Sequence, residues 1–170
     1  DLNIPCYIIP IKPYWAGELF DKSIAGENLF GANVSKLWNV ENVYYRHVKP
    51  ITEKFPARIL WYASSGKGTI RNKAILACSY LDEVFTGLPK ELFRMHKHYG
   101  VYEWNHIYDL CDKNINNPIR ALKFSQTEVF KNPVKYSAVV KILGKNNTFA
   151  SPVEIPTSVF TQIYNLRNEK

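Results

Sequence analysis

Between residues 57 and 80 the chain holds two β-rich runs separated by a short polar break, and this pair limits the fold more than any other stretch. Ala57-Arg58-Ile59-Leu60-Trp61-Tyr62-Ala63 follows Pro56 and stops at Ser64-Ser65-Gly66-Lys67-Gly68. β-Branched and aromatic residues bounded by proline and a turn cluster predict a strand. Residues 69–80 read as a second strand, so the two form a hairpin with a basic, glycine-containing tip. That tip carries Lys67, Arg71 and Lys73 beside Trp61 and Tyr62. Cations next to exposed rings suit a phosphate backbone with an unstacked base, because charge holds the phosphates and the ring holds the base. The alternative is a surface hairpin whose aromatic residues fill a barrel core.

Short strands and a few helices surround the pair. Cys6-Tyr7-Ile8-Ile9-Pro10-Ile11 predicts a first strand, and Val43-Tyr44-Tyr45-Arg46-His47-Val48 predicts another, ended by Pro50. Ile119-Arg120-Ala121-Leu122-Lys123-Phe124 alternates apolar with basic residues, as a half-buried strand does; it extends through 127–130 until Pro133 interrupts. Helical spacing runs over 13–20, over 88–99 behind Pro89 with Gly100 as its stop, and over 101–112, where Val101, Trp104, Tyr108 and Cys111 share a face. Residues 136–143 fit strand or helix. Thr157 can cap a closing helix with Val159, Phe160, Ile163, Tyr164 and Leu166 as its buried stripe. Residues 21–42 dissolve into Gly, Asn and Ser, and a loop of that length inside a compact domain is more often functional than accidental. Strand and helix do not alternate regularly, which argues against a doubly wound parallel sheet and predicts α+β with a compact, barrel-like sheet.

At 170 residues the chain can bury one sizeable core and suits a single domain. Its net charge of +7 favours an anionic partner, nucleic acid before an acidic membrane surface. No apolar run approaches the roughly 18 residues of a membrane helix. Cys6, Cys78 and Cys111 are odd in number and lack CxxC spacing, so a disulfide framework or a zinc site is not expected and a reducing cytoplasm is the simplest setting. Without an initiator Met, the sequence reads as a carboxyl-terminal piece of a longer protein.

Familiar catalytic motifs fail on spacing. A phosphate-binding loop, Gly-x-x-x-x-Gly-Lys-Ser/Thr, needs glycine where Trp61 stands and a hydroxyl where Gly68 stands. His96 and His98 point to different helix faces, and with His106 and Cys111 they give no metal-binding helix spacing. No cofactor is expected. Cys6 and Cys78 lie in predicted strands as buried thiols. What remains is a set of aromatic and polar residues on neighbouring elements: Tyr14, Trp15, Tyr44, Arg46, Trp61, Tyr62, Ser64, Lys67 and Arg71, with Trp38 and His47 nearby. Converging on one groove, they would give stacking platforms and phosphate-tracking cations.

Taken together, Ile9-Pro10-Ile11-Lys12-Pro13-Tyr14-Trp15-Ala16-Gly17-Glu18-Leu19-Phe20-Asp21, Val43-Tyr44-Tyr45-Arg46-His47, Ala57-Arg58-Ile59-Leu60-Trp61-Tyr62-Ala63-Ser64 and Ala74-Ile75-Leu76-Ala77-Cys78 resemble a PUA-like domain. The resemblance is to the ASCH/EVE-related type found at the carboxyl end of some bacterial acetyltransferase-like or toxin-like proteins, and it spans residues 7–155 loosely. It implies a mixed β-pseudobarrel with flanking helices, a pocket for RNA or a modified base in DNA or RNA, and a catalytic domain ahead of this one. Residues 23–42 and the Gly66-Lys67-Gly68 tip depart from the pattern. Some ASCH relatives hydrolyse acylated cytidine with a Lys, a Thr and a distant Glu, and Gly66-Lys67-Gly68-Thr69 is similar to their segment. On that enzyme reading Lys67 is the base, Thr69 the nucleophile and Glu83 or Glu103 the proton shuttle. A third expectation is a protein-interaction domain that docks an acidic partner.

Overall fold

Apolar residues at successive positions of a short run can all be buried only if the strand has cover on both faces, and the first strand, β1 (Cys6–Ile11), is built that way. The computed structural model describes residues 3–21, 41–50, 53–64, 73–99 and 101–169. Trp38 and most of the 21–42 loop, the tip residues Lys67, Thr69 and Arg71, and Gly100 lie outside them.

After β1 come α1 (Pro13–Ala16), which continues as a π-helical turn (Gly17–Asp21), and β2 (Asn42–His47), β3 (Ala57–Ala63) and β4 (Ala74–Gly87). Then follow α2 (Pro89–His96) with a 3-10 turn (Lys97–Tyr99), α3 (Trp104–Leu110), β5 (Ile119–Lys135), α4 (Tyr136–Leu143), β6 (Val153–Ile155) and α5 (Thr157–Leu166). Proline at the first helical position starts both α1 and α2, where its missing N–H leaves no carbonyl unpaired. Gly144, at φ +69°, ends α4 in the left-handed conformation that glycine adopts without penalty.

The strands form one six-stranded mixed sheet in the order β2-β5-β4-β3-β1-β6. Among the described residues β1 and β3 run parallel, with Ile11 opposite Ala63 at their carboxyl ends, and the other pairs are antiparallel. β6 pairs only Cys6, Tyr7 and Ile8, so β1 is an edge from Ile9 onward and can carry Pro10 there. Pairing shifts register once between β3 and β4 and three times between β4 and β5. Each such bulge bends and twists a strand, and together they curl the sheet without a β2–β6 pairing to close it. The fold is therefore α+β with a curled, open sheet.

Two cores lie on the two faces. Tyr7, Ile9, Ile59, Trp61 and Phe124 point to the side covered by α1, α2 and α3, which add Ala16, Phe20, Leu92 and Ile107. Cys6, Ile8, Leu60, Tyr62 and Ile75 point to the other side, beneath α4 and α5, which add Val139, Phe160 and Ile163. Each fully buried large side chain contributes roughly 1.5–3 kcal/mol.

Several sequence expectations shift. Within the described residues the second hairpin strand starts at Ala74 and runs past the expected end at 80 to Gly87; residues 69–72 lie outside them. Pro133 does not end β5, because Ile75 pairs with Val134 and Ala77 with Val129, leaving the proline in the bulged stretch where no ladder bond is needed. Residues 136–143 are helical. Pro156, not Thr157, occupies the cap of α5; Thr157 is the first helical residue and its carbonyl accepts the Thr161 hydroxyl at 2.9 Å. Among the described residues no helix is long and apolar enough to cross a membrane.

Candidate nucleic-acid interface

Parallel pairing brings the carboxyl ends of β1 and β3 together, and Pro13 then turns the chain straight into α1, so Lys12, Tyr14 and Trp15 emerge at the sheet's rim. Trp15 stacks on Tyr102 (centroids 3.8 Å apart, planes at 16°), and His106 meets it edge-on at 4.8 Å and 90°. Tyr14 lies edge-on to Trp15 at 4.7 Å and is 57% exposed. Its ring is held by neighbours yet open to solvent. Tyr102 is itself fixed from below, since its buried hydroxyl accepts the Tyr45 N–H at 3.4 Å.

These rings wall a cleft of about 480 Å³ whose other sides include Lys12, Arg46, His47 and the carboxylates Asp109 and Asp112. A second cleft, of about 440 Å³, lies beside it and is lined by Lys49, Tyr62, Ser64, Thr148 and Ser151. Lys12, Tyr44, Arg46 and His47 belong to both, so one wall divides them. Lys12, His47 and Lys49 are exposed.

The chemistry on offer is donation, stacking and charge. Burial pushes the Tyr44 hydroxyl up to about 12, against a hydrogen bond with the Lys12 backbone. Burial raises Tyr45 and Tyr102 as well. All three stay phenols at neutral pH and can donate but not act as bases. His106 Nδ1 accepts the Glu103 N–H at 2.9 Å, completing a capping box at the start of α3. A neutral His106 ring therefore carries its proton on Nε2.

Arg46 is only partly committed to the cleft. Its Nη1 donates to Glu53 Oε1 at 3.0 Å and to the Pro50 carbonyl at 3.1 Å, while Arg120 Nη2 donates to Glu53 Oε2 at 3.0 Å. The Glu53 side chain is fully buried between the two guanidiniums. One carboxylate between two cations leaves a net positive charge, which Arg46 presents toward the clefts.

Of the expected site residues, Tyr14, Trp15, Tyr44, Arg46, Tyr62 and Ser64 line the paired clefts. Trp61 does not. It is fully buried against Tyr44 and Phe124, at 5.6 and 4.9 Å, and its Nε1 donates to Ser79 Oγ at 2.8 Å. The reason is elementary: successive strand residues point to opposite faces. Trp61 and Tyr62 therefore cannot share a wall, and Tyr62 packs on Phe149 in the other core. Lys73 sits 5.6 Å from the centre of the Tyr136 ring and lines neither cleft. Lys67, Thr69 and Arg71 lie outside the described residues. For the enzyme reading, Glu83 is an exposed residue paired in register with Lys123, and Glu103 serves its helix cap.

Sequence reasoning missed Tyr102, His106 and Lys49. Nothing local marks Tyr102 as the base on which Trp15 stacks, because the pair spans two distant elements. Among the described residues no group of three or more His, Cys, Asp or Glu is placed to hold a metal. Cys78 is half-buried, and burial pushes its thiol up to about 12.

No protein-family model matches the chain, and no curated protein matches it in sequence. Solved structures do. The ASCH protein of Zymomonas mobilis superposes with a TM-score of 0.67 at 15% identity, over 95% of this chain and 94% of that one. A point variant of the same protein gives 0.69 at 14% identity, over 96% and 99%. The chain has an ASCH-like fold, of the PUA-like kind. The N-terminal domain of McrB from Staphylothermus marinus is similar too, with a TM-score of 0.54 at 13% identity over 96% of both chains. In this ASCH-like chain the paired clefts open where β1 and β3 end, at the rim of the curled sheet.

Proposed function

We propose that the chain is a nucleic-acid-binding module that holds one unstacked base, of RNA or of DNA carrying a modified base, against Tyr14. The observation that carries this reading is the exposed Tyr14 ring, braced by the Trp15–Tyr102 stack, in a cleft shared by Lys12, Arg46 and His47. At about 480 Å³ the cleft is within the ~300–1,000 Å³ that takes a compact organic group. A rigid ring gives a base a face at little entropic cost, and the adjoining cations hold its phosphates. The net charge of +7 supports the same class of partner, and the ASCH-like fold agrees with it. On the sequence resemblance, the proposal includes a catalytic domain in the full-length protein to which this module presents nucleic acid.

Fluorescence anisotropy with short labelled RNA and DNA oligonucleotides, between about 50 and 200 mM salt, tests the reading. Micromolar binding that weakens with salt is expected. Tyr14→Ala should lower affinity by the value of one base–aromatic stack, about 1–3 kcal/mol. Absence of salt-dependent micromolar binding, or full affinity in Tyr14→Ala, overturns it.

A further inference from the structure

Away from the rim clefts, the outer surface of α2 and α3 leaves large apolar side chains in water. Leu88, Met95 and Tyr108 are all exposed, Met95 by 52%. Tyr108 continues a line of rings across the two helices, with Phe93 5.7 Å from Trp104 and Trp104 6.3 Å from Tyr108. α2 turns Pro89, Leu92 and His96 inward. Its helical period then sets Lys90, Arg94 and Lys97 along the outer edge nearer Phe93, and Leu88 and Met95 along the other. The three cations are exposed, and none has a carboxylate partner among the described residues. Glu91 is the one acid in residues 88–99.

From this pattern we propose that the α2–α3 face docks a partner protein, through an acidic patch that holds apolar side chains among its carboxylates. Exposed apolar side chains gathered on one surface mark an interaction site, and Met, Arg and aromatic residues are enriched at protein interfaces. An ordinary interface covers about 800 Å² of each partner, enough to span both edges of α2 and reach Tyr108. Carboxylates of the partner would face Lys90, Arg94 and Lys97, and its apolar residues would cover Met95 and Tyr108. A phosphate backbone would meet the cations and leave Leu88, Met95 and Tyr108 wet. A second copy of this chain would bring the same cations against them, and like charges across an interface repel. Asp109 and Asp112, on and just beyond α3, line the rim cleft and so do not answer these cations.

Selection of a displayed library of random peptides on the full chain, with nuclease present and counter-selection on the Lys90→Glu/Arg94→Glu/Lys97→Glu variant, tests this. Enriched peptides should combine Asp or Glu with apolar residues. Arg94→Glu and Met95→Ser, each at an exposed position, should separately weaken the selected peptides about tenfold, one through charge and the other through apolar contact. Arg94→Gln should act in the same direction as Arg94→Glu and less strongly. Oligonucleotide binding at the rim should be unchanged in every variant. The proposal is overturned if no peptide distinguishes the chain from the triple variant, or if Met95→Ser leaves affinity intact, since charge attraction alone then explains the binding. A tenfold loss of oligonucleotide affinity in Arg94→Glu also overturns it and assigns the face to nucleic acid. Failure of oligonucleotide binding in the wild-type chain bears on Tyr14 and the rim only, because the selection reads the α2–α3 face independently.

Discussion

Replacing Glu53 by Gln keeps the side chain's size and removes only its charge, which isolates what the carboxylate does between Arg46 and Arg120. Both guanidiniums donate to it at 3.0 Å, and the three side chains are 11%, 0% and 5% exposed in the order Arg46, Glu53, Arg120. The change leaves two buried cations converging on a neutral amide, with Arg120 Nε already lacking a partner among the described residues. Removing one member of a buried ion pair costs about 3–5 kcal/mol, most of it the penalty of the charge left behind. For a chain of this size each kcal/mol lowers Tm by about 2–4 °C, so a fall of roughly 6–20 °C is expected. Circular dichroism during heating and in urea measures it. Glu41→Gln is the control: Glu41 meets Lys123 at 3.2 Å but is 43% exposed, and breaking such a surface pair should cost under about 1 kcal/mol. Adding Arg46→Met to Glu53→Gln should recover part of the loss. If Glu53→Gln is no more destabilising than Glu41→Gln, the claim that a buried triad holds the cleft's dividing wall is wrong.

Trp61→Ala should destabilise by about 3–5 kcal/mol, because it empties a fully buried site and removes one of the two hydrogen bonds of Ser79 Oγ, leaving it Thr127 Oγ1 at 2.7 Å, whereas Tyr14→Ala should stay within about 0.5 kcal/mol of wild type; urea titrations of both compare them. His96 is 3% exposed and burial holds its pKa below the ordinary 6.5, against the pull of the Leu92 carbonyl 3.0 Å from Nδ1. Its contribution to stability is complete above pH 6.5. As pH falls below that value the unfolded chain takes up a proton that the folded one resists, and stability declines by at most about 1.4 kcal/mol per pH unit. Urea midpoints from pH 7 downward, compared with His96→Gln, should show a smaller decline in the variant, and equal declines would refute the assignment. The Cys78 thiol, raised to about 12, should react with a thiol reagent at pH 8 far more slowly in the folded protein than in urea, and equal rates would contradict its burial.

What the amino-acid order determined alone was local. Cys6-Tyr7-Ile8-Ile9-Pro10-Ile11 and Ala57-Arg58-Ile59-Leu60-Trp61-Tyr62-Ala63 are strands because β-branched and aromatic residues bounded by proline and turn residues have few other choices, and Pro13 and Pro89 start helices because proline there loses nothing. The ASCH/EVE-related resemblance rested on those same packing runs. Partnership was tertiary. That β1 lies parallel to β3, that the Trp15 ring stacks on Tyr102, and that Arg120 reaches the Glu53 already paired with Arg46 all depend on elements far apart in sequence. Residue type assigned Trp61 and Tyr14 the same role; the sheet then buried one and left the other at the rim. Composition sets how many rings and charges a chain can offer a ligand, but only the direction of each strand decides which faces remain open to solvent.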